Sequence, residues 1–512
     1  MPGKTHRALR NSAIQGISQV LTWGFSWVLL VMLPRYLGDE GFGQLFLALS
    51  YALVFGTLLN MGINKYLVKQ VAILNPIDDP DVDEEARNAE LRAMLGNVFS
   101  LKILMSVGFY LLLVGLVSLL PYDSLTRTAI LIVCLSACIN NLTQTSSGVF
   151  QGFENMLPPN LALVAEKMLT TAGCAVLLIS GYRLIPVCFV YLGAAVVNCA
   201  LTFVLLRRRI KFPLSWNFAG MKELLAGGLP FLIWIVFGEI YVRVDVLMLS
   251  FMTGASVVGW YGAAFRIYAT LLFVPHMLNN VVFPPLARMG AEDEKAADFA
   301  LASRRVMNLL LSVVVPIGAG VAIVSAPLIL LMYGEGPFEH SIWSLRIFSA
   351  CIVVVSVDVV LGSVLIARGR QKQWSYMAIA AAVFNPLMNA WMIPLTQSMW
   401  QNGGIGAALA TLLTEGLMMA GALWLMPEKV FSTRNLKTAA KAAFCALLMM
   451  LVLHLTGIGN LLVIVPLGAL LYGILAVALR VLPPEDIHHL LHAAGLEDRA
   501  PALQRLLGIR NP

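Results

Sequence analysis

Residues 243–268 read RVDVLMLSFMTGASVVGWYGAAFRIY. Two apolar runs meet at the short turn TGAS, residues 253–256, and extend outward to cover 226–252 and 256–283. A helix rises 1.5 Å per residue, so about 20 apolar residues cross about 30 Å of hydrocarbon. Each run is long enough to do this, and so short a turn sends the chain straight back through the bilayer. The same stretch holds Arg243, Asp245 and Arg266 within its apolar surroundings. It therefore raises the question of fold and the question of function together.

The pattern continues on both sides. Candidate crossings cover residues 12–34, 41–66, 93–121, 126–150, 160–181 and 184–206 before the hairpin. After it come 306–333, 340–367, 373–397, 403–426, 438–456 and 460–482. The total is about fourteen transmembrane helices. Only 12% of the residues are charged and 59% are hydrophobic. A soluble domain carries about 25% charge, so most of this chain is expected to avoid water. A transmembrane barrel would need alternating segments of about ten residues, and these runs are solid. The fold class is read as all-α and polytopic.

The net charge of +7 could suggest a nucleic-acid partner. Position argues against one, because Lys and Arg cluster in short loops between apolar runs. With the N-terminus inside, the inner loops hold Arg207, Arg208, Arg209 and Lys211, then Arg304 and Arg305, then Arg368, Arg370 and Lys372. The outer loops hold only Arg35, Arg127 and Arg183. An excess of Lys and Arg marks the cytoplasmic side. The expectation is a multi-pass protein of the cell inner membrane with both termini in the cytoplasm. The basic start MPGKTHRALR leads into a run too long for a cleavable signal.

Two inner segments are long. Residues 75–92 are acidic and Pro-broken, and read as a solvated linker. In the tail, residues 484–512, the stretch EDIHHLLHAAGL reads as an amphipathic helix on the membrane surface. Metal binding by His488, His489 and His492 is the weaker reading. The seven Cys show no CxxC or zinc-like spacing. No metal and no cofactor is expected.

The hairpin has a counterpart. GASVVGWYGAA (254–264) and GDEGFGQLFLA (38–48) both fit G-x4-G-x4-A, 216 residues apart. Six crossings separate them, which returns the chain to the same side, so the two copies are parallel. The expected organisation is a six-helix bundle over 1–211, a second over 212–430, two additional helices over 431–483, and the tail. A substrate path would lie between the bundles.

PRYLGDEGFGQLFLA (34–48), followed by NMGIN (60–64), resembles the start of the polysaccharide flippases of the multidrug/oligosaccharidyl-lipid/polysaccharide exporter superfamily. RVDVLMLSFMTGASVVGWYGAAFRIY (243–268), followed by FPPLARM (283–289), is similar to the seventh and eighth helices of that family. The resemblance runs to about residue 430. It implies that the chain flips a lipid-linked oligosaccharide by alternating access, usually one carried on undecaprenyl pyrophosphate. It also implies the bilayer as surroundings, and the polysaccharide polymerase and glycosyltransferases of the same pathway as possible partners.

A charge at membrane depth costs about 2.5–3.5 kcal/mol on insertion scales, which makes such residues functional candidates. Counted from Gly254, Arg243 and Arg266 both fall near the midplane. Asp245 lies within reach of Arg266, and Glu239 shares a face with Arg243 at i,i+4. The functional reading is a cationic patch whose guanidinium forks hold a phosphate. The alternative is that Asp245–Arg266 and Glu239–Arg243 only neutralise each other. Glu415 and Asp358 could carry a coupling proton or cation. Asn140, Asn141 and Gln144 could line a sugar path, as could Asn385 with Asn389, although helix-packing hydrogen bonds suit all five. Lys102, placed near the inner end of the third run, is expected to snorkel.

Three kinds of function compete. A lipid-linked oligosaccharide flippase suits midplane arginines. A cation-coupled multidrug exporter of the same superfamily would favour an acidic, aromatic pocket. A membrane enzyme such as a polysaccharide polymerase would need a sizeable outer loop with acid or base groups. The outer loops are short, and no nucleotide loop or catalytic triad is present, so an enzyme is not expected.

Overall fold

The computed structural model describes residues 2–74, 84–292, 296–426 and 432–482. The chain forms two compact units, Met1–Gly259 and Trp260–Pro512. Within the described residues the long elements are all helices, and there is no strand.

The first unit contains α1 (Pro2–Asn60), α2 (Ile63–Ile73), α3 (Glu84–Leu119), α4 (Ser124–Gly152), α5 (Leu157–Ile179), α6 (Leu184–Arg209) and α7 (Phe218–Met252). Helix α1 is two arms, because Gly38 at φ 72°, ψ 179° breaks the helical path. Asp123 starts α4 by accepting from the Leu125 and Thr126 amides at 3.1 and 3.3 Å. Asn217 does the same for α7 through Ala219 and Gly220. Such caps satisfy amides that have no partner inside the helix.

The second unit continues α8 (Ala255–Leu271), which begins at the unit boundary, and adds α9 (Phe273–Gly290), α10 (Ala296–Tyr333), α11 (Ser341–Ala367), α12 (Gln371–Trp400), α13 (Gly403–Leu425), α14 (Thr433–Thr456) and α15 (Leu461–Ala478). Leu286, Phe299, Leu310 and Leu361 form its buried centre. The last two helices pack on α10. Asn435 donates to Asn308 Oδ1 at 2.8 Å, and the Tyr472 hydroxyl donates to the Ser312 carbonyl at 2.9 Å.

Twelve helices are long and apolar enough to cross a membrane among the described residues. The first of them, Arg10–Asn60, has 51 residues and contains the break at Gly38, so it supplies two arms. With α7 this gives the fourteen arms expected from the sequence. Large apolar side chains face outward, among them Leu119, Trp424 and Leu462, each more than four-fifths exposed. In a bilayer this is the surface that meets lipid.

The repeated hairpins meet at their second glycines. A Cβ on Gly43 would lie 1.9 Å from the Ala255 carbonyl oxygen and 2.8 Å from the Gly259 nitrogen. A Cβ on Gly259 would lie 2.1 Å from the Asp39 carbonyl oxygen and 3.3 Å from the Gly43 nitrogen. Asp39 and Ala255 are themselves equivalent in the repeat, so the contact is reciprocal. Glycine is required at both positions because backbone touches backbone.

The linker reading of residues 75–92 needs correction. From Glu84 onward the chain is already α3. EEARNAELR is built from strong helix formers and lies beyond Pro80, so nothing stops the helix there. Residues 75–83, and the tail with its three histidines, lie outside the described residues.

Candidate functional site

In the first unit, α1 ends at Asn60, and Met61 and Gly62 take positive φ of 46° and 71° before α2 begins. Helix α2 lies close against α4, where a Cβ on Gly152 would come within 2.6 Å of the Val71 side chain. The last carbonyls of α1 have no intrahelical donor. Lys102 of α3 fills that position. Its Nζ donates to Asn60 O at 3.1 Å, Leu59 O at 3.4 Å, Asn60 Oδ1 at 3.4 Å and Asn141 Oδ1 at 2.9 Å.

Lys102 is wholly buried, so the snorkelling expectation is wrong. Because α3 starts at Glu84, Lys102 lies mid-helix and cannot reach the surface. A cation at the C-terminal end of a helix is also favoured by the helix dipole.

Beside this lysine is a cavity of about 570 Å³ among α1, α2, α4, α5 and α6. Small-ligand sites run to about 300–1,000 Å³. Its wall carries a stripe on α4, Asn140, Gln144, Ser147 and Gln151, at helical spacing. Asn60 and Asn64 both donate through Nδ2 to Gln144 Oε1, at 3.1 and 3.3 Å. Asn198 Nδ2 donates to Glu166 Oε2 at 2.5 Å. Among the described residues of the lining, Lys65 and Lys167 complete the charged groups and there is no aromatic ring. Neutral amides dominate, each able to donate and accept, which suits a ligand rich in hydroxyls.

Of the five residues proposed for a sugar path, Asn140 and Gln144 line this cavity. Asn141 does not. It is buried, with Oδ1 held by Lys102 and Nδ2 directed to Ser106 Oγ at 3.5 Å. Sequence reading missed Asn60, Asn64, Lys65, Glu166, Lys167 and Asn198. Glu166 and Lys167 were visible as ionisable residues in an apolar run, the same signal that exposed Arg243.

Arg243 is half-buried and pairs with Glu239 at 3.3 Å, as the i,i+4 spacing predicts. Asp245 is buried on the same helix. Both belong to the first unit, whereas Arg266 lies in the second, with Tyr333 as an electrostatic neighbour.

In the second unit Asp358 of α11 and Glu415 of α13 are both buried, and Glu415 is an electrostatic neighbour of Asp358. Neither Asp358 oxygen receives a donor from elsewhere among the described residues. Asn385 and Asn389 are fully buried and serve packing. Asn389 Nδ2 donates to Asn385 Oδ1 at 2.7 Å, and Asn385 Nδ2 donates to Thr414 Oγ1 of α13 at 3.4 Å.

A family model described as "Polysaccharide biosynthesis protein" matches residues 8–290, more than half of the chain. The chain belongs to this polysaccharide biosynthesis family. Its fold is similar to that of the lipid II flippase MurJ in an inward closed conformation, with a TM-score of 0.68 at 18% identity. That match covers 91% of this chain and 98% of the other. An inward-facing multidrug resistance MATE family transporter of the MOP superfamily has a TM-score of 0.60 at 12% identity, covering 79% of this chain and 93% of the other. No curated protein matches the sequence. The chain thus combines membership of the polysaccharide biosynthesis family with a many-helix fold similar to those of these two membrane proteins.

Proposed function

We propose that this polysaccharide biosynthesis protein flips a lipid-linked oligosaccharide from the inner to the outer leaflet by alternating access, and that an undecaprenyl pyrophosphate carries the saccharide. The observation that carries the reading is the amide-lined cavity of the first unit. A saccharide offers many hydroxyls at low charge, and Asn and Gln match them without holding them as tightly as paired ions would. A cationic drug would be better served by carboxylates and aromatic faces, and amides outnumber both among the described lining residues.

The topology written in Lys and Arg supports the direction of transport. It puts the α1–α2 break and the C-terminal end of α4 on the cytoplasmic side, from which an inner-to-outer flip starts. Gln144 lies eight residues before Gly152, about 12 Å along the helix. Arg243 is assigned to the phosphate part of the substrate, with Glu239 holding it in place while no substrate is bound; Arg266 of the second unit is a further phosphate-binding candidate. The Asp358–Glu415 pair is assigned to a coupling proton.

Deleting the gene should abolish a surface glycan and leave its lipid-linked repeat on the inner leaflet. Unchanged glycan in a strain with no second flippase would overturn the proposal. Drug sensitivity with normal glycan would select a multidrug exporter.

A further inference from the structure

We propose that Lys102 is a positioning residue that sets the polarity of the cavity wall, so that Gln144 turns N–H donors to the substrate and the cavity takes a carboxylate-bearing saccharide. The proposal rests on the reading that this cavity holds the saccharide part of a lipid-linked substrate.

The argument follows hydrogen-bond polarity from the buried end outward. An ammonium has three donors and no acceptor. Four oxygens surround Lys102 Nζ, including Oδ1 of both Asn60 and Asn141. The lysine therefore decides which end of each amide faces it. With its oxygen so committed, Asn60 must direct its NH2 the other way, where Gln144 Oε1 accepts it at 3.1 Å. The NH2 of Asn64 reaches the same oxygen at 3.3 Å. Gln144 Oε1 is then doubly occupied. What remains of that amide is Nε2, on an exposed side chain of the cavity wall.

The charged groups of the wall point to the same ligand. Lys65 and Lys167 are cationic, while the carboxylate of Glu166 is engaged by Asn198 at 2.5 Å. Donors and a cationic excess recognise a carboxylate, and a hydrogen bond to an ionised acceptor is roughly twice as strong as a neutral one. Without Lys102 the Asn60 amide can turn over. Gln144 then shows an acceptor as readily as a donor, and the preference disappears.

The test uses the full chain in lipid nanodiscs, with trigalacturonate and a neutral galactose trisaccharide as probes. The wild type should bind the charged probe at least about tenfold more tightly. Gln144→Glu keeps an oxygen for Asn60 and Asn64 but removes the outward donor. It should lower the ratio of trigalacturonate to neutral-probe affinity about tenfold or more. Lys102→Met should bring the ratio of the two affinities close to one. A purely structural lysine would weaken both probes equally. If Lys102→Met fails to fold, Gln144→Glu alone decides the matter, with thermal unfolding as its folding control. Equal binding of the two probes by the wild type, no binding of either, or an unchanged ratio in Gln144→Glu overturns the inference. Any of these three results beside restored glycan export in a deletion strain refutes this inference alone. Failure of the wild-type chain to restore export refutes the reading beneath it.

Discussion

Replacing Gly43 by Ala tests the repeat at the point where its two copies touch. The added Cβ would sit 1.9 Å from the Ala255 carbonyl oxygen, whereas real Cβ contacts stay beyond about 3.0 Å. Backbone forms both sides of the contact, so no side-chain rotation relieves it. The helices must separate by about an ångström. A radial gap of that size forfeits roughly a quarter to a half of each dispersion contact it opens, next to buried Phe42, Leu45 and Val258. Overpacking of this kind costs about 1–3 kcal/mol and occasionally more. Gly259→Ala should cost a similar amount, because its Cβ meets Asp39 O at 2.1 Å. One displacement accommodates both clashes, so the double variant should lose less than the sum of the singles. Gly24→Ala is the control. Nothing lies within 4 Å of a Cβ there, and the change should be neutral or stabilising by about 0.4–1 kcal/mol. The assay is thermal unfolding of purified protein in one detergent, with membrane yield measured alongside. Gly43→Ala that melts with the wild type, or additive losses in the double variant, would refute the reciprocal close approach.

Reporter fusions after residues 211, 255, 290, 337 and 370 should alternate in, out, in, out, in; a periplasmic signal after residue 211 would overturn the orientation drawn from Lys and Arg. Arg243→Ala and Arg266→Ala should each abolish glycan export at near-normal protein level, and Arg→Lys should retain part of it by keeping the charge without the fork. Normal export by both alanine variants would make the arginines structural. Glu415→Gln and Asp358→Asn should remove the dependence of transport on a proton gradient, because an amide beside a carboxyl no longer takes up and releases a shared proton. Transport that still follows the gradient in both variants would place the coupling group elsewhere.

The crossings were legible because hydrophobicity alone defines them: a run of about 20 apolar residues has little choice in a bilayer. The two G-x4-G-x4-A stretches were legible as a pattern, although only the structure shows that Gly43 and Gly259 press on each other's helices. The start of α3 was missed because acidic residues were taken as a sign of solvent, when EEARNAELR has high helix propensity. That error moved Lys102 toward the membrane surface and hid its contact with Asn60. Half of the cavity was legible on α4, where Asn140 and Gln144 stand out in an apolar helix. The other half was not, because Asn60 and Asn64 sit at a helix break, where amides usually serve as caps. Which amide end faces the cavity depends on a lysine more than forty residues away in sequence, and no local pattern encodes that.

The most direct test of the central claim uses proteoliposomes containing the purified chain. A fluorescent undecaprenyl-pyrophosphate-linked saccharide is placed only in the inner leaflet, and a membrane-impermeant glycosidase is added outside. The account predicts that the saccharide becomes cleavable in vesicles containing the protein, and that Gln144→Glu slows this when the saccharide is acidic. A saccharide that stays protected, in vesicles where the same protein moves a cationic drug across the membrane, would contradict it.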